Sequence, residues 1–161
     1  MPTAALVYPH QLFDPHPAVA GAAAAFLVED PLLFRQYGFH RQKLMLHRAT
    51  MKRYAAEVLP NAGYVDAHQL NHTGDVVAVV KKAKCDAVRV VDPNDDWLLA
   101  RLTAACSAAG VRLTVLDDPH FLTPRAEIDA FAAGSDKLFF TDFYVRQRKR
   151  LGVLLAPDGK P

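Results

Sequence analysis

The chain has 161 residues, 51% of them hydrophobic and 22% charged, with 19 basic against 17 acidic residues and a net charge of +2. That is the composition of one globular domain, able to bury roughly 68–70% of its unfolded surface; it excludes a histone-like or strongly acidic protein but leaves room for local basic patches. No apolar run approaches the ~18 residues of a membrane helix, and residues 1–5 lack the basic start of a signal peptide, so a soluble cytoplasmic protein is expected.

Taken in order, residues 4–8 read as a buried strand cut by Pro9, and 25–29 as a second, cut by Pro31. Residues 38–59 follow as a long helix, with Leu44, Met51, Tyr54, Ala55 and Val58 on one stripe. Residues 60–63, Pro-Asn-Ala-Gly, stop it. A weaker third strand covers 64–68. Thr73 is placed to cap a helix running through Lys82. A fourth strand, 87–91, ends at Asp92-Pro93-Asn94, and Asp95 or Asp96 caps a helix closed by Gly110. The fifth strand covers 111–116 and ends at Asp117-Asp118-Pro119. Each strand is short, apolar and bounded by Pro or Asp, and the spacing of the last two suits a βαβ crossover. The expected fold is α/β, an open, mostly parallel five-stranded sheet with helices on both faces. Helical stretches at 126–133 and 139–152 follow, then a turn-like tail at 156–161 with no core residue, of the kind expected where a chain is cut from a longer one.

Ligands of open parallel sheets bind beyond the carboxyl ends of the strands. Those ends carry Tyr8-Pro9-His10-Gln11, Glu29-Asp30, His68-Gln69, Asp92-Pro93-Asn94 and Asp117-Asp118, polar groups gathered along one edge. Strand ends also border loops, which are polar in any case. GxGxxG, GxxxxGK[ST], GxSxG and HExxH are all absent, which argues against Rossmann dehydrogenase, P-loop, nucleophile-elbow and zincin chemistry. His40 and His47 share a helix face but stand two turns apart, and the other five histidines are scattered, so no metal set emerges. Cys85 and Cys106 form no CxxC, suit a reducing compartment and read as core fillers. Two basic stretches stand out. One runs from Arg35 to Ala56 without an acid and holds Arg41, Lys43, Arg48 and Lys52; the other holds Lys137, Arg146, Arg148, Lys149 and Arg150 against Asp136 and Asp142. Either could contact phosphates or form a solvated face. The interleaved Phe139, Phe140, Phe143 and Tyr144 have helical spacing, which favours turning them into a core.

Several segments resemble, in collinear order, the deoxyribodipyrimidine photolyase-related proteins of the cryptochrome/photolyase family. They are Tyr8-Pro9-His10-Gln11-Leu12-Phe13, Leu27-Val28-Glu29-Asp30-Pro31-Leu32-Leu33-Phe34, Phe39-His40-Arg41-Gln42-Lys43-Leu44 with its continuation to Lys52, Asp95-Asp96-Trp97-Leu98-Leu99, Asp118-Pro119-His120-Phe121-Leu122-Thr123, and residues 142–151. The resemblance implies a Rossmann-like amino-terminal photolyase domain over 1–155, with 156–161 as a tail or the start of a linker to an FAD-binding helical domain outside this chain. FAD, an iron–sulfur cluster and the lesion cavity are expected only in that domain, so no catalytic residue is expected here. It implies a lumazine-type antenna chromophore near the first strand ends, matched by His10, Gln11 and Glu29, with His40 and Lys43 nearby. Where many relatives carry Gly-Asp-Gln-Leu, this chain has Pro9-His10-Gln11-Leu12, an imidazole in place of a carboxylate acceptor. The implied role is light-driven DNA repair or blue-light sensing once joined to the FAD domain. DNA is the implied further partner, through Arg41, Arg48 and Lys52 or Arg148, Lys149 and Arg150. The alternatives are a stand-alone α/β protein binding a small aromatic ligand, a docking domain, and a nucleic-acid-binding module, none catalytic.

Overall fold

The computed structural model describes residues 1–134, 137–156 and 158–160. Part of the expected tail, and Asp136 of the second charge cluster, lie outside these. Strands β1 (Thr3–Val7), β2 (Ala24–Val28), β3 (Gly63–Val65), β4 (Ala87–Val91) and β5 (Arg112–Leu116) form one sheet in the order β3-β2-β1-β4-β5. Every pairing is parallel. Among the described residues six α-helices accompany them: α1 (Pro31–Phe34), α2 (Arg41–Glu57), α3 (Val76–Lys82), α4 (Asp96–Ala108), α5 (Arg125–Ala133) and α6 (Phe140–Leu151). The chain divides into two compact units, residues 1–116 and 117–161.

Side chains alternate across a strand, so a sheet covered on both faces needs apolar residues at nearly every position. β1 shows this: Ala4 and Leu6 face a core built with Val76 and Val80 of α3 and Leu98 and Leu102 of α4. Val7 faces the opposite side, with Leu27, Met51 and Tyr54, the last two from α2. Ala5 and Val91 pack there against Ala18, from the connection between β1 and β2. Helices therefore flank both faces of the sheet. Cys85 and Cys106 are buried in the α3/α4 core, as small fillers, and burial pushes both thiols up.

Local chemistry sets the boundaries. Asp30 accepts from Leu32 N–H at 2.9 Å and Pro31 takes the first helical position, which starts α1 at once after β2. β3 stops at Val65 because Asp66 accepts from His68 N–H and begins a 3-10 turn, Ala67–Gln69, closed by Gln69 bonding back to the Asp66 N–H. The third strand is thus shorter than its sequence predicts. Of the two expected caps for α4 it is Asp95 that accepts from Leu98 N–H, at 2.9 Å. Thr73 does not cap α3: its hydroxyl donates to Asp30 Oδ1 at 2.9 Å, and a 3-10 turn over Thr73–Asp75 leads into the helix instead. At the start of β3 a Cβ on Gly63 would lie 2.6 Å from the Phe26 ring, so the two strands approach only over glycine. Among the described residues no helix is long and apolar enough to cross a membrane.

Candidate functional site

The strand order reverses between β1 and β4, the usual place for a ligand in an open α/β sheet. Here two side chains bridge it. Gln11 is fully buried, and its carboxamide donates to the carbonyls of Val91 at 3.0 Å and Asp92 at 2.9 Å. His10 donates through Nε2 to the Pro93 carbonyl at 3.0 Å. Both residues tie the loop after β1 to the loop after β4.

Glu29, at the end of β2, is buried and has four donors. Arg48 Nε reaches Oε1 at 2.6 Å and its Nη2 bonds Oε2. Tyr64 donates its hydroxyl to Oε1 at 2.6 Å, and the Ala67 N–H points to Oε2 at 3.2 Å. Burial alone would raise this carboxyl, but the bonds from Arg48, Tyr64 and Ala67 outweigh it and hold Glu29 below its ordinary value. Burial and the bond to Glu29 in turn push the Tyr64 phenol up. The neighbouring Asp30 spends Oδ1 on Leu32 N–H and Thr73, while Oδ2 has no partner, and burial raises its carboxyl.

Beyond β2 and β3 a cleft of about 270 Å³ opens, lined by Phe34, Arg35, Leu44, Met45, Arg48, Ala67 and His68. Arg35 is pinned on one side, its Nη1 donating to the carbonyls of Ala67 at 3.0 Å and Leu70 at 3.2 Å. Arg48 is pinned likewise by Glu29. Each guanidinium keeps further N–H donors. The walls between them are apolar or sulfur-bearing, and Met45 stands 69% exposed.

The expected chromophore residues are distributed unevenly around this cleft. Glu29 holds a lining residue, Arg48. His40 instead caps α2, its Nδ1 accepting from Gln42 N–H at 3.3 Å, and Lys43 lies over the Phe39 ring at 4.3 Å. Sequence reasoning places His68 at a strand end, Leu44 on the apolar stripe of the helix and Arg35 in a basic stretch, but assigns none of Phe34, Arg35, Leu44, Met45 or Ala67 to a ligand site.

The basic residues are also unequal. Arg48 is committed to Glu29, and Lys52 sits 4.5 Å over the Tyr64 ring. Arg150 donates to Gln147 at 2.8 Å and to the Leu122 carbonyl at 2.9 Å, and Arg146 pairs with Glu127 at 3.6 Å. Among the described residues no carboxylate pairs with Arg41, Arg148 or Lys149. The aromatics of α6 depart from expectation. Phe143 packs on Phe131, centroids 5.1 Å apart, but Phe139, Phe140 and Tyr144 are exposed. Helical spacing sets them near one another, and α5 stands against part of them: Ile128, Phe131 and Ala132 line an apolar cleft with Phe139, Phe140 and Phe143, but it is too open to bury Phe139 or Phe140. No group of three or more His, Cys, Asp or Glu among the described residues could hold a metal ion.

A family model described as deoxyribodipyrimidine photo-lyase-related protein matches residues 5–161. A curated (6-4) photolyase of Agrobacterium fabrum is 23% identical over 125 residues, which cover 73% of this chain and 25% of that protein. The chain thus corresponds to about a quarter of the length of the curated relative it matches.

Proposed function

The chain belongs to the deoxyribodipyrimidine photolyase-related family, and on that premise we propose that its α/β unit is an antenna-type domain whose cleft beyond β2 and β3 takes a small planar chromophore of the lumazine class. In this reading it works with a helical FAD domain in light-driven DNA repair or blue-light sensing. FAD and the iron–sulfur cluster belong to that partner domain; Cys85 and Cys106, sealed in the α3/α4 core, are not cluster ligands.

The observation that carries the reading is the lining of the cleft. A fused-ring ligand needs flat apolar contact and a few fixed donors at its acceptor-rich edge. Phe34, Leu44 and Met45 supply the first. Arg35 and Arg48, each anchored from behind, together with His68, supply the second. The 270 Å³ volume suits one such ring system rather than a dinucleotide. When bound, the chromophore supplies absorption of blue light. The chain's part is to hold the ring in one orientation and keep water from it. Glu29 is a positioning residue: its carboxylate fixes the direction of the Arg48 guanidinium.

Fluorescence titration with a ribityllumazine tests this. Saturable binding is expected, weakened at least about tenfold by Met45→Trp, which fills the cleft from an exposed position. His10→Ala, whose side chain braces the β4 loop instead, leaves it unchanged. Failure of the chain to bind, or equal binding by Met45→Trp, overturns the reading.

A further inference from the structure

α6 carries a ladder of side chains one turn apart. Phe140, Tyr144 and Arg148 follow at i, i+4 and i+8, the spacing that stacks residues along one helix face. The rings of Phe140 and Tyr144 lie nearly parallel, 16° apart, with centroids separated by 6.3 Å. The Arg148 guanidinium carbon sits 5.6 Å from the Tyr144 ring centroid. Phe140 is 79% exposed and Tyr144 43%.

Two further facts indicate what such a ladder meets. α6 holds one acid, Asp142, against Arg146, Arg148, Lys149 and Arg150. Arg146 and Arg150 are engaged within the unit, which leaves Arg148 and Lys149 without a carboxylate beside the exposed rings. A purely apolar partner would strand these cations. A purely anionic one would leave the phenyl rings in water. A single-stranded nucleic acid satisfies both demands, since every base offers a flat face to stack and every phosphate a negative charge. A duplex does not, because its base faces are already stacked.

We propose that the Phe140–Tyr144–Arg148 face of α6, with Lys149, binds single-stranded nucleic acid by base stacking and phosphate contact. The site does not involve the cleft, so it stands or falls separately from chromophore binding.

The test uses the 161-residue chain and a fluorescein-labelled oligothymidine of about 16 nucleotides, followed by fluorescence anisotropy. Saturable binding is expected, weakening steeply with added salt, with a duplex of equal length bound more weakly. Phe140→Ala is expected to weaken binding about tenfold while Phe140→Trp retains it. Lys149→Glu is expected to weaken it and flatten the salt dependence. Each position is exposed, so circular dichroism should show unchanged folding. Absence of binding at low salt, or equal binding by Phe140→Ala, overturns the proposal. So does a Phe140→Ala chain that loses self-association while binding the oligonucleotide as before, since that assigns the face to a second copy.

Discussion

In residues 1–116, Leu6, Val7, Leu27, Met51, Leu98 and Leu102 are completely sealed from solvent, and the Glu29 carboxylate is sealed with four donors around it. In residues 117–161 the arrangement is inverted. Among the described residues there, the buried side chains are Asp118 and Gln147, both polar, while Phe139, Phe140 and Tyr144 stand in water. The first unit has its apolar groups where they stabilise the chain, and its chemistry in a recess. The second leaves apolar rings where they stabilise little and can meet a partner.

Substitutions can break or sharpen this contrast. Glu29→Ala is the most damaging: it removes the acceptor of Arg48, Tyr64 and the Ala67 N–H together, and with the Arg48 guanidinium partly open to water urea denaturation should show a loss of about 3–4 kcal/mol, from the donors left without an acceptor. Leu102→Ala opens a cavity in the α3/α4 core and should cost about 3 kcal/mol by the same measurement. Acid acts on a third point in the first unit. His16 is buried, its Nδ1 accepting the Ala18 N–H at 3.2 Å, and burial lowers its pKa from 6.5 to about 4. Below pH 6.5 the unfolded chain takes up a proton that the folded chain refuses. Stability therefore falls as the pH drops from 6.5 to about 4, by on the order of 1–3 kcal/mol, and His16→Gln should flatten that part of the profile. The smallest effect is Phe140→Ala in the second unit, within about 0.5 kcal/mol of the parent. A loss there as large as that of Leu102→Ala would show that the second unit does rely on its exposed ring.

Much of the fold is legible because central parallel strands buried on both faces, β1 and β4, leave continuous apolar runs, while the largely exposed edge strand β5 is marked by its bounding Gly110 and Asp117. β1, β2, β4 and β5 fall within a residue or so of the expected spans, and α2 within a few. The short elements were not legible. α1 and the two 3-10 turns depend on single side chains, Asp30 and Asp66 among them, and Thr73 looks like a cap in sequence because its tertiary partner, Asp30, lies 43 residues away. The site was legible only in outline. Glu29 stands out at a strand end, but its partners lie 19, 35 and 38 residues further on, and no local pattern connects them. The sequence suggests two different roles for Arg48 and Glu29, one toward DNA and one toward a chromophore, and the fold joins them. For α6, spacing identified which aromatics share a face but carried no information on whether a wall stands opposite that face.

The cross-brace at the sheet's reversal point has a spectroscopic consequence. Both bonds from Gln11 to the carbonyls of Val91 and Asp92 leave from one buried nitrogen. Its two protons can trade with solvent deuterium only when the tips of β1 and β4 separate. In heavy water the Gln11 side-chain amide signals should outlast those of exposed residues such as Gln42, and their decay would time the opening of this seam directly.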